Sequence, residues 1–246
     1  MRNEFPAAEQ RILLNSLPHV GNIAAAAERQ KMWNRRKSVL IPPRDESFAE
    51  FMGILFGDGC IRNSWQVGIS FNQHGDQPYA AFLMQLITAL FGLEATCCIR
   101  PSSADLIISS TTLVDMLLEQ GFPAGSKCET LSMVPHWIQE DRRLRVACLR
   151  GLMDTDGCVF QHRYHVNGKP YAYAKLGFAS AVPCLTEFVA ESLQQLGLPA
   201  YVRQGGQRVF VYSQVAVVRY FETVGTHNPR YRQRFEAYTK QKYLER

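Results

Sequence analysis

Two stretches decide the reading of this chain: Phe51-Met52-Gly53-Ile54-Leu55-Phe56-Gly57-Asp58-Gly59 and Leu149-Arg150-Gly151-Leu152-Met153-Asp154-Thr155-Asp156-Gly157. Each is an apolar helical run that meets Asp-Gly. Gly53 and Gly57 lie four apart on one helix face, as do Gly151 and Thr155 on the other. Small residues at that spacing remove the side chains that would hold two helices apart, so the backbones can approach closely where they cross. The crossing brings the C-terminal ends together, and with them Asp58 and Asp156. A helix C-terminus carries partial negative charge, which disfavours a carboxylate, and two carboxylates at two such ends repel. A divalent cation resolves that conflict. Oxygen donors suit Mg²⁺, and such a cation can activate water and stabilise the leaving oxygen of a phosphodiester. Gly59 and Gly157 then let each chain turn from helix into strand.

The same order of elements surrounds each run. Ser47 and Glu50 have the S-x-x-E spacing of a capping box, which starts the first helix at residue 47. A strand is expected at 65–72, a helix at 78–91 ending at Gly92, strands at 94–100 and 105–110, and a helix at 111–120 ending at Gly121. The second copy reads as a helix at 142–155, a strand at 171–180 and a helix at 182–196 ending at Gly197. Strands at 199–203 and 207–213 follow, then a helix at 214–224 ending at Gly225. The Gln161–Pro170 segment reads as a longer hairpin. Apolar residues at helical spacing, Leu83, Leu86 and Leu90 in one helix and Leu185, Val189 and Leu193 in the other, mark core faces. The expected fold is α+β: two pseudo-symmetric αββαββα units, a pseudo-dimer within one chain. Residues 47–141 form the first half and 142–246 the second. Residues 1–46 read as an N-terminal extension and linker, with helical patterns at 7–16 and 20–33, a basic stretch, and Pro42-Pro43 as a stop.

Composition sets looser bounds. In 246 residues there are 27 basic and 22 acidic side chains, a net charge of +5 that permits a polyanionic partner without requiring one. No apolar run has the length of a membrane span, and Arg2, Glu4, Glu9 and Arg11 interrupt any signal core, so a cytosolic protein is expected. The seven cysteines include no C-x-x-C pair and are expected to be reduced and mostly buried. Asp154-Thr155-Asp156-Gly157 is not a calcium loop, because the glycine comes too early and no closing glutamate follows.

The two nonapeptides resemble the LAGLIDADG motif, and two copies 98 residues apart, each opening the same series of elements, make the match specific. The resemblance covers roughly residues 47–240. It implies a single-chain, two-motif homing endonuclease that cuts both strands of a long DNA site, with Mg²⁺ (or Mn²⁺) as cofactor and an intron as its genomic home. Asp58 and Asp156 are then the metal ligands, joined by Gly57 and Thr155 immediately before them. Asp154 stands where the family often has a second acidic residue, but Phe56 holds that place in the first copy, so capping or packing is expected of Asp154. The loop Phe122–Lys127 resembles the family's loop with a basic residue near the active site. Lys127 is the catalytic candidate there, and Arg230 is its counterpart in the second half. Arginine clamps phosphate but accepts protons poorly, so the departure from lysine points to unequal half-sites. The self-splicing residues of an intein are missing at both ends, so a free-standing chain is expected, a monomer through its internal pseudo-twofold symmetry.

Sheet faces supply the expected contacts to double-stranded DNA. In 65–72, Trp65, Val67, Ile69 and Phe71 form an apolar face, while Gln66, Ser70 and Asn72 point the other way. In the second half Lys169, Tyr171, Tyr173 and Lys175 occupy the polar face. Arg62, Arg100, Arg203 and Arg208 join from neighbouring strands. A twisted antiparallel sheet with such side chains forms a saddle that can read a major groove. The alternative is a non-catalytic nucleic-acid-binding protein on the same fold: an RNA maturase whose partner is intron RNA, or a DNA-binding regulator. The paired aspartates favour the enzyme.

Overall fold

The computed structural model describes residues 38–203 and 205–244, the side chains of 170 and 240–244 excepted. The helical patterns at 7–16 and 20–33 lie outside the described residues. The first half comprises α1 (Glu46–Asp58), β1 (Gly59–Asn63), β2 (Gln66–Phe71), α2 (Gln77–Phe91), β3 (Thr96–Ile99), β4 (Ala104–Ser109), α3 (Thr111–Glu119) and the one-turn helices α4 (Lys127–Thr130) and α5 (His136–Gln139). The second comprises α6 (Arg142–Thr155), β5 (Gly157–Val166), β6 (Lys169–Ala179), α7 (Pro183–Gln195), β7 (Tyr201–Arg203), β8 (Arg208–Val211), α8 (Gln214–Thr223) and α9 (Pro229–Leu244). Each half builds one antiparallel four-stranded sheet, in the order β1-β2-β4-β3 and β5-β6-β8-β7. The repeated strand order is the internal symmetry expected from the repeated motifs.

The halves join through α1 and α6, the most extensive helix–helix contact in the described chain. A Cβ added to Gly53 would collide with the Cys148 carbonyl, and one on Gly151 with the Glu50 carbonyl. These contacts are reciprocal: each motif glycine meets the backbone three residues before its counterpart. A Cβ on Gly57 would meet the Thr155 side chain. Any side chain at these points would force the helices apart, which is why the small residues recur. Around the crossing lies one continuous core that includes Phe48, Phe51, Ile54, Leu149, Leu152, Leu185 and Val217.

Several local expectations change. Glu50 does not close a capping box with Ser47: Asp45 is the N-cap, its carboxylate accepting from Phe48 N at 2.9 Å. The chain preceding the helix, from residue 38, already runs beside the first half, with Leu40 N donating to Phe91 O. Trp65 sits in the β1–β2 turn, 44% exposed, rather than under the helices. The cysteines are not mostly buried: Cys97, Cys98, Cys128 and Cys158 are exposed, and only Cys148 is buried. Cys97 and Cys98 are exposed because β3 is an edge strand with no buried residue. The hairpins also differ. The first closes at Asn63↔Gln66 with a register irregularity, whereas the second pairs without interruption from Gly157↔Phe178 to Val166↔Lys169. Its two-residue turn has Asn167 at φ 50° and Gly168 at φ 76°, the left-handed pair that matches strand twist and that Asn-Gly supplies.

Candidate active site

Asp58 is the last residue of α1 and Asp156 the C-cap of α6. A Cβ on Gly57 would lie 3.5 Å from Asp156 Oδ2, so Asp156 is held beside the end of α1, where Asp58 sits. Burial, and after it the neighbouring charge of Asp156, push the Asp58 carboxyl up to about 7 against the pull of Lys127. Burial likewise pushes Asp156 up to about 6, again against Lys127. Both carboxyls are thus displaced in the same direction, first of all by desolvation. Among the described residues no cluster of three or more His, Cys, Asp or Glu side chains surrounds them. Mg²⁺ and Mn²⁺ fit that donor set, since such ions are held by one or two carboxylates and complete their shell with water and phosphate.

Lys127 opens α4 and reaches back to the end of α1. Its ammonium donates to the carbonyls of Leu55 at 3.2 Å, Phe56 at 2.8 Å and Gly57. The ammonium thus caps the last carbonyls of α1, joining the Gly59 N–H at Leu55 O, and its charge complements the helix terminus. Burial lowers the Lys127 ammonium below the ordinary lysine value, while Asp156 and Asp58 counter that shift. The Gly57 carbonyl is therefore already engaged by Lys127, and the Thr155 hydroxyl donates back to Gly151 O at 3.1 Å and Leu152 O at 3.0 Å.

Arg230 does not mirror Lys127. Its Nε lies 3.2 Å from Asp76 Oδ1, and its Nη2 donates to the Tyr231 hydroxyl at 3.3 Å. Asp76 and Arg230 both act on Asp58, in opposite directions. The end of α6 is supported differently. Asn228 Nδ2 donates to Asp154 O at 3.2 Å, and the Asp154 carboxylate accepts from the Thr226 hydroxyl, from His227 N at 2.7 Å and from Asn228 N at 3.2 Å. Burial pushes Asp154 up to about 7. Hydrogen bonds from the loop after α8 occupy this carboxylate and tie that loop to the end of α6.

A second network escaped the sequence. Glu50, only 3% exposed, accepts from Arg150 Nε and Nη2 at 2.9 and 2.7 Å and meets His227 Nδ1 through its other oxygen. Arg150 also donates to Val224 O at 3.0 Å, and the His227 ring packs on Phe82 with centroids 4.5 Å apart. The signal available was a glutamate inside an apolar helical run, but the S-x-x-E spacing assigned it to a cap.

The sheet residues divide by half. Arg62 and Arg100 both reach Asp105 Oδ2, at 2.8 and 2.7 Å, and Ser70 Oγ donates to Asp105 Oδ1 at 2.8 Å. Burial alone would raise Asp105, but Ser70 and the two arginines outweigh it and hold the carboxyl below its usual range. Gln66 Nε2 donates to Ser109 Oγ at 3.4 Å, and Asn72 Oδ1 accepts from His74 N and Gly75 N in a turn after β2. In the second half Lys169, Tyr171, Tyr173 and Lys175 alternate with buried Ala174, Leu176 and Phe178, while Arg203 and Arg208 are exposed cross-strand partners.

Comparison with known proteins fits this geometry. A family profile described as a LAGLIDADG-like domain matches residues 143–225. The chain superposes on full-length DUF199/WhiA from Thermatoga maritima with a TM-score of 0.52 and 14% identity, covering 81% of this chain and 61% of that one. It superposes on mesophilic variants of the homing endonuclease I-DmoI with a TM-score of 0.51 and 16% identity, covering 74% and 96%. A variant of I-DmoI in complex with its nicked target DNA in the presence of Mn gives 0.50 and 15%, covering 74% and 96%. At these identities the likeness is one of fold, and this chain spans only 61% of full-length WhiA. No curated protein matches the chain in sequence. A LAGLIDADG-like domain thus occupies residues 143–225, and the first half repeats its architecture, with an aspartate at the end of each crossing helix.

Proposed function

We propose that the protein is a metal-dependent endonuclease that hydrolyses both strands of a double-stranded DNA site. The observation that carries this reading is the pair Asp58 and Asp156, two desolvated carboxyls from opposite halves held at one helix crossing. These two residues would hold Mg²⁺ or Mn²⁺, which when bound supplies Lewis acidity toward a phosphodiester and its attacking water. The chain's own residues fix the rest. The glycine crossing sets the spacing of the carboxylates. Lys127 keeps a cation beside both of them while bracing the end of α1. Arg230, tied to Asp76, places a second positive charge near Asp58. Unequal basic groups support unequal cutting of the two strands. An intron-homing role and a monomeric state belong to the same reading.

Selection of cleaved sites from a randomised duplex library, with Mg²⁺ or Mn²⁺, tests the proposal. Asp58→Asn and Asp156→Asn should each reduce cleavage by about 10³-fold or more, in line with losing charge stabilisation at a reacting phosphate. Both variants should still bind duplex. Undiminished cutting by either variant would sink the assignment.

The second reading is a non-catalytic nucleic-acid-binding protein, either a maturase acting on intron RNA or a DNA-binding regulator. It is favoured by Lys127, whose ammonium is committed to three helix carbonyls, and by the ion-paired state of Arg230. Duplex binding without cleavage of any library member under either metal would select it.

A further inference from the structure

The outer face of the second sheet is unlike that of the first. From Phe160↔Lys175 outward, β5 and β6 pair only with each other, because β8 joins β6 only between Leu176 and Ala179. The seven pairs out to Val166↔Lys169 form a two-stranded arm that reaches roughly 20 Å. On one face of this arm the register sets His162 opposite Tyr173 and Tyr164 opposite Tyr171. Their rings form a ladder. Tyr164 stacks on Tyr171 and Tyr173 with centroids 5.6 and 5.9 Å apart, and His162 lies 5.5 Å from Tyr164. Tyr171 and Tyr173 are within 8° of parallel. Tyr164 and Tyr171 remain 39% and 36% exposed.

The aromatic row continues onto the sheet itself. Phe210 stacks on Tyr212 at 5.6 Å, Tyr201 lies 5.4 Å from Tyr212, and Lys175 Nζ sits 4.9 Å over the Tyr212 ring. The charge is one-sided. No Asp or Glu occurs in 157–180 or in 201–213, whereas Lys169, Lys175, Arg203 and Arg208 share the face of the rings. In the first sheet the strands carry no comparable aromatic row, and Arg62 and Arg100 are held by Asp105.

We propose that the outer face of the β5–β6 arm and its sheet is a binding surface for unpaired bases of single-stranded nucleic acid. Duplex bases present only their edges in the grooves, and those edges are read by hydrogen-bonding groups. Ring faces carry no such code. They add to the stack of a base that is already unpaired, and every base has a π-face to offer. The surrounding lysines and arginines meet the backbone phosphates. A lone hairpin is marginal in water, so the tyrosines also brace the arm, and the test must separate the two roles. The inference takes the sheet face that the endonuclease reading assigns to duplex and names a second ligand for it, and it does not depend on the aspartate pair.

Binding to the full chain is measured by fluorescence anisotropy in EDTA at physiological salt, with mixed-sequence single-stranded RNA, single-stranded DNA and duplex DNA. Single strands are expected to bind more tightly than mixed-sequence duplex, and 2-aminopurine in the strand should be quenched on binding. The double variant Tyr164→Leu/Tyr171→Leu keeps apolar bulk and loses the rings. It should weaken single-strand binding by roughly 10- to 100-fold and duplex binding by much less. Tyr164→Phe/Tyr171→Phe keeps the rings and should bind as the parent does, which excludes a mere loss of fold. The RNA and DNA arms decide which strand type is preferred. Single-strand binding that is no tighter than duplex, or that survives the leucine variant, overturns the proposal and leaves the ladder as a brace or a protein contact. Asp58→Asn should bind single strands like the parent, so failure of the cleavage reading and failure of this one are told apart.

Discussion

Phe56 and Asp154 stand at the same place in the two halves, each two residues before a motif aspartate, and they do the same job by opposite chemistry. Phe56 packs on Phe122 with ring centroids 5.7 Å apart. Asp154 instead receives the Thr226 hydroxyl and two backbone N–H groups of the loop that follows α8. In both halves the end of the crossing helix is tied to the loop after the last sheet-flanking helix. The tie is apolar in one half and a buried polar network in the other. The backbone repeat is therefore conserved within the chain, while the chemistry that fixes it is free to differ. The same contrast appears at Glu50 and Cys148, which occupy matching positions on α1 and α6. Cys148 is simply buried, whereas Glu50 gathers Arg150 and His227.

The largest effect should come from breaking that polar side. Arg150→Met strands Glu50 in the core and is expected to cost about 3–5 kcal/mol in urea unfolding, with much of it regained in Glu50→Leu/Arg150→Met. A small cost for the single change would mean that His227 alone satisfies Glu50. Gly53→Ala and Gly151→Ala test the symmetric part. Each pushes a methyl into the partner backbone, and each should cost about 3 kcal/mol, the upper end for overpacking. Unequal losses would show that the crossing is not twofold.

The difference between the two ties should also be visible in pH. Phe122→Ala should cost about 3 kcal/mol by removing a buried ring, at every pH. Asp154, Asp58 and Asp156 behave otherwise, because their carboxyls lie at about 7, about 7 and about 6 in the folded chain against 3.8 unfolded. A raised acid binds its proton more tightly when folded. Its stabilising contribution is full below about pH 4 and is lost as pH rises toward 7, on the order of 2–4 kcal/mol over the window. Thermal melts in EDTA should therefore show stability falling from pH 4.5 to 7.5. Asp154→Asn should flatten part of that slope, and added Mg²⁺ should offset the Asp58 and Asp156 part while leaving the Asp154 part. A flat profile would contradict the burial of these groups. The smallest effect concerns the sheets. Asp105→Asn releases Arg62 and Arg100, and if both then reach phosphate the salt slope of duplex binding should steepen by about 0.9 per arginine. An unchanged slope would place these arginines away from the nucleic acid.

Much of this was legible in the chain alone. The glycine spacing, the order of elements and the two Asp-Gly ends are local patterns, and local patterns fix helix faces and strand alternation. So the symmetric crossing, the strands and the ends of the crossing helices at Asp58 and Asp156 could be read without coordinates, whereas Lys127 was singled out by a resemblance between loops. What lay beyond it pairs residues far apart in sequence, where spacing carries no information. Glu50 finds Arg150 only because the helices cross at Gly53 and Gly151. Asp105 takes both Arg62 and Arg100 only because Arg62 on β1 passes over Gly68 of β2 to reach β4, while Arg100 follows β3 on the other side of β4. The tyrosines of β5 and β6 meet only through the Asn167-Gly168 turn. Periodicity says which face a side chain occupies; only the tertiary structure decides which partner waits on that face, and a buried charge or an exposed ring takes its function from that partner.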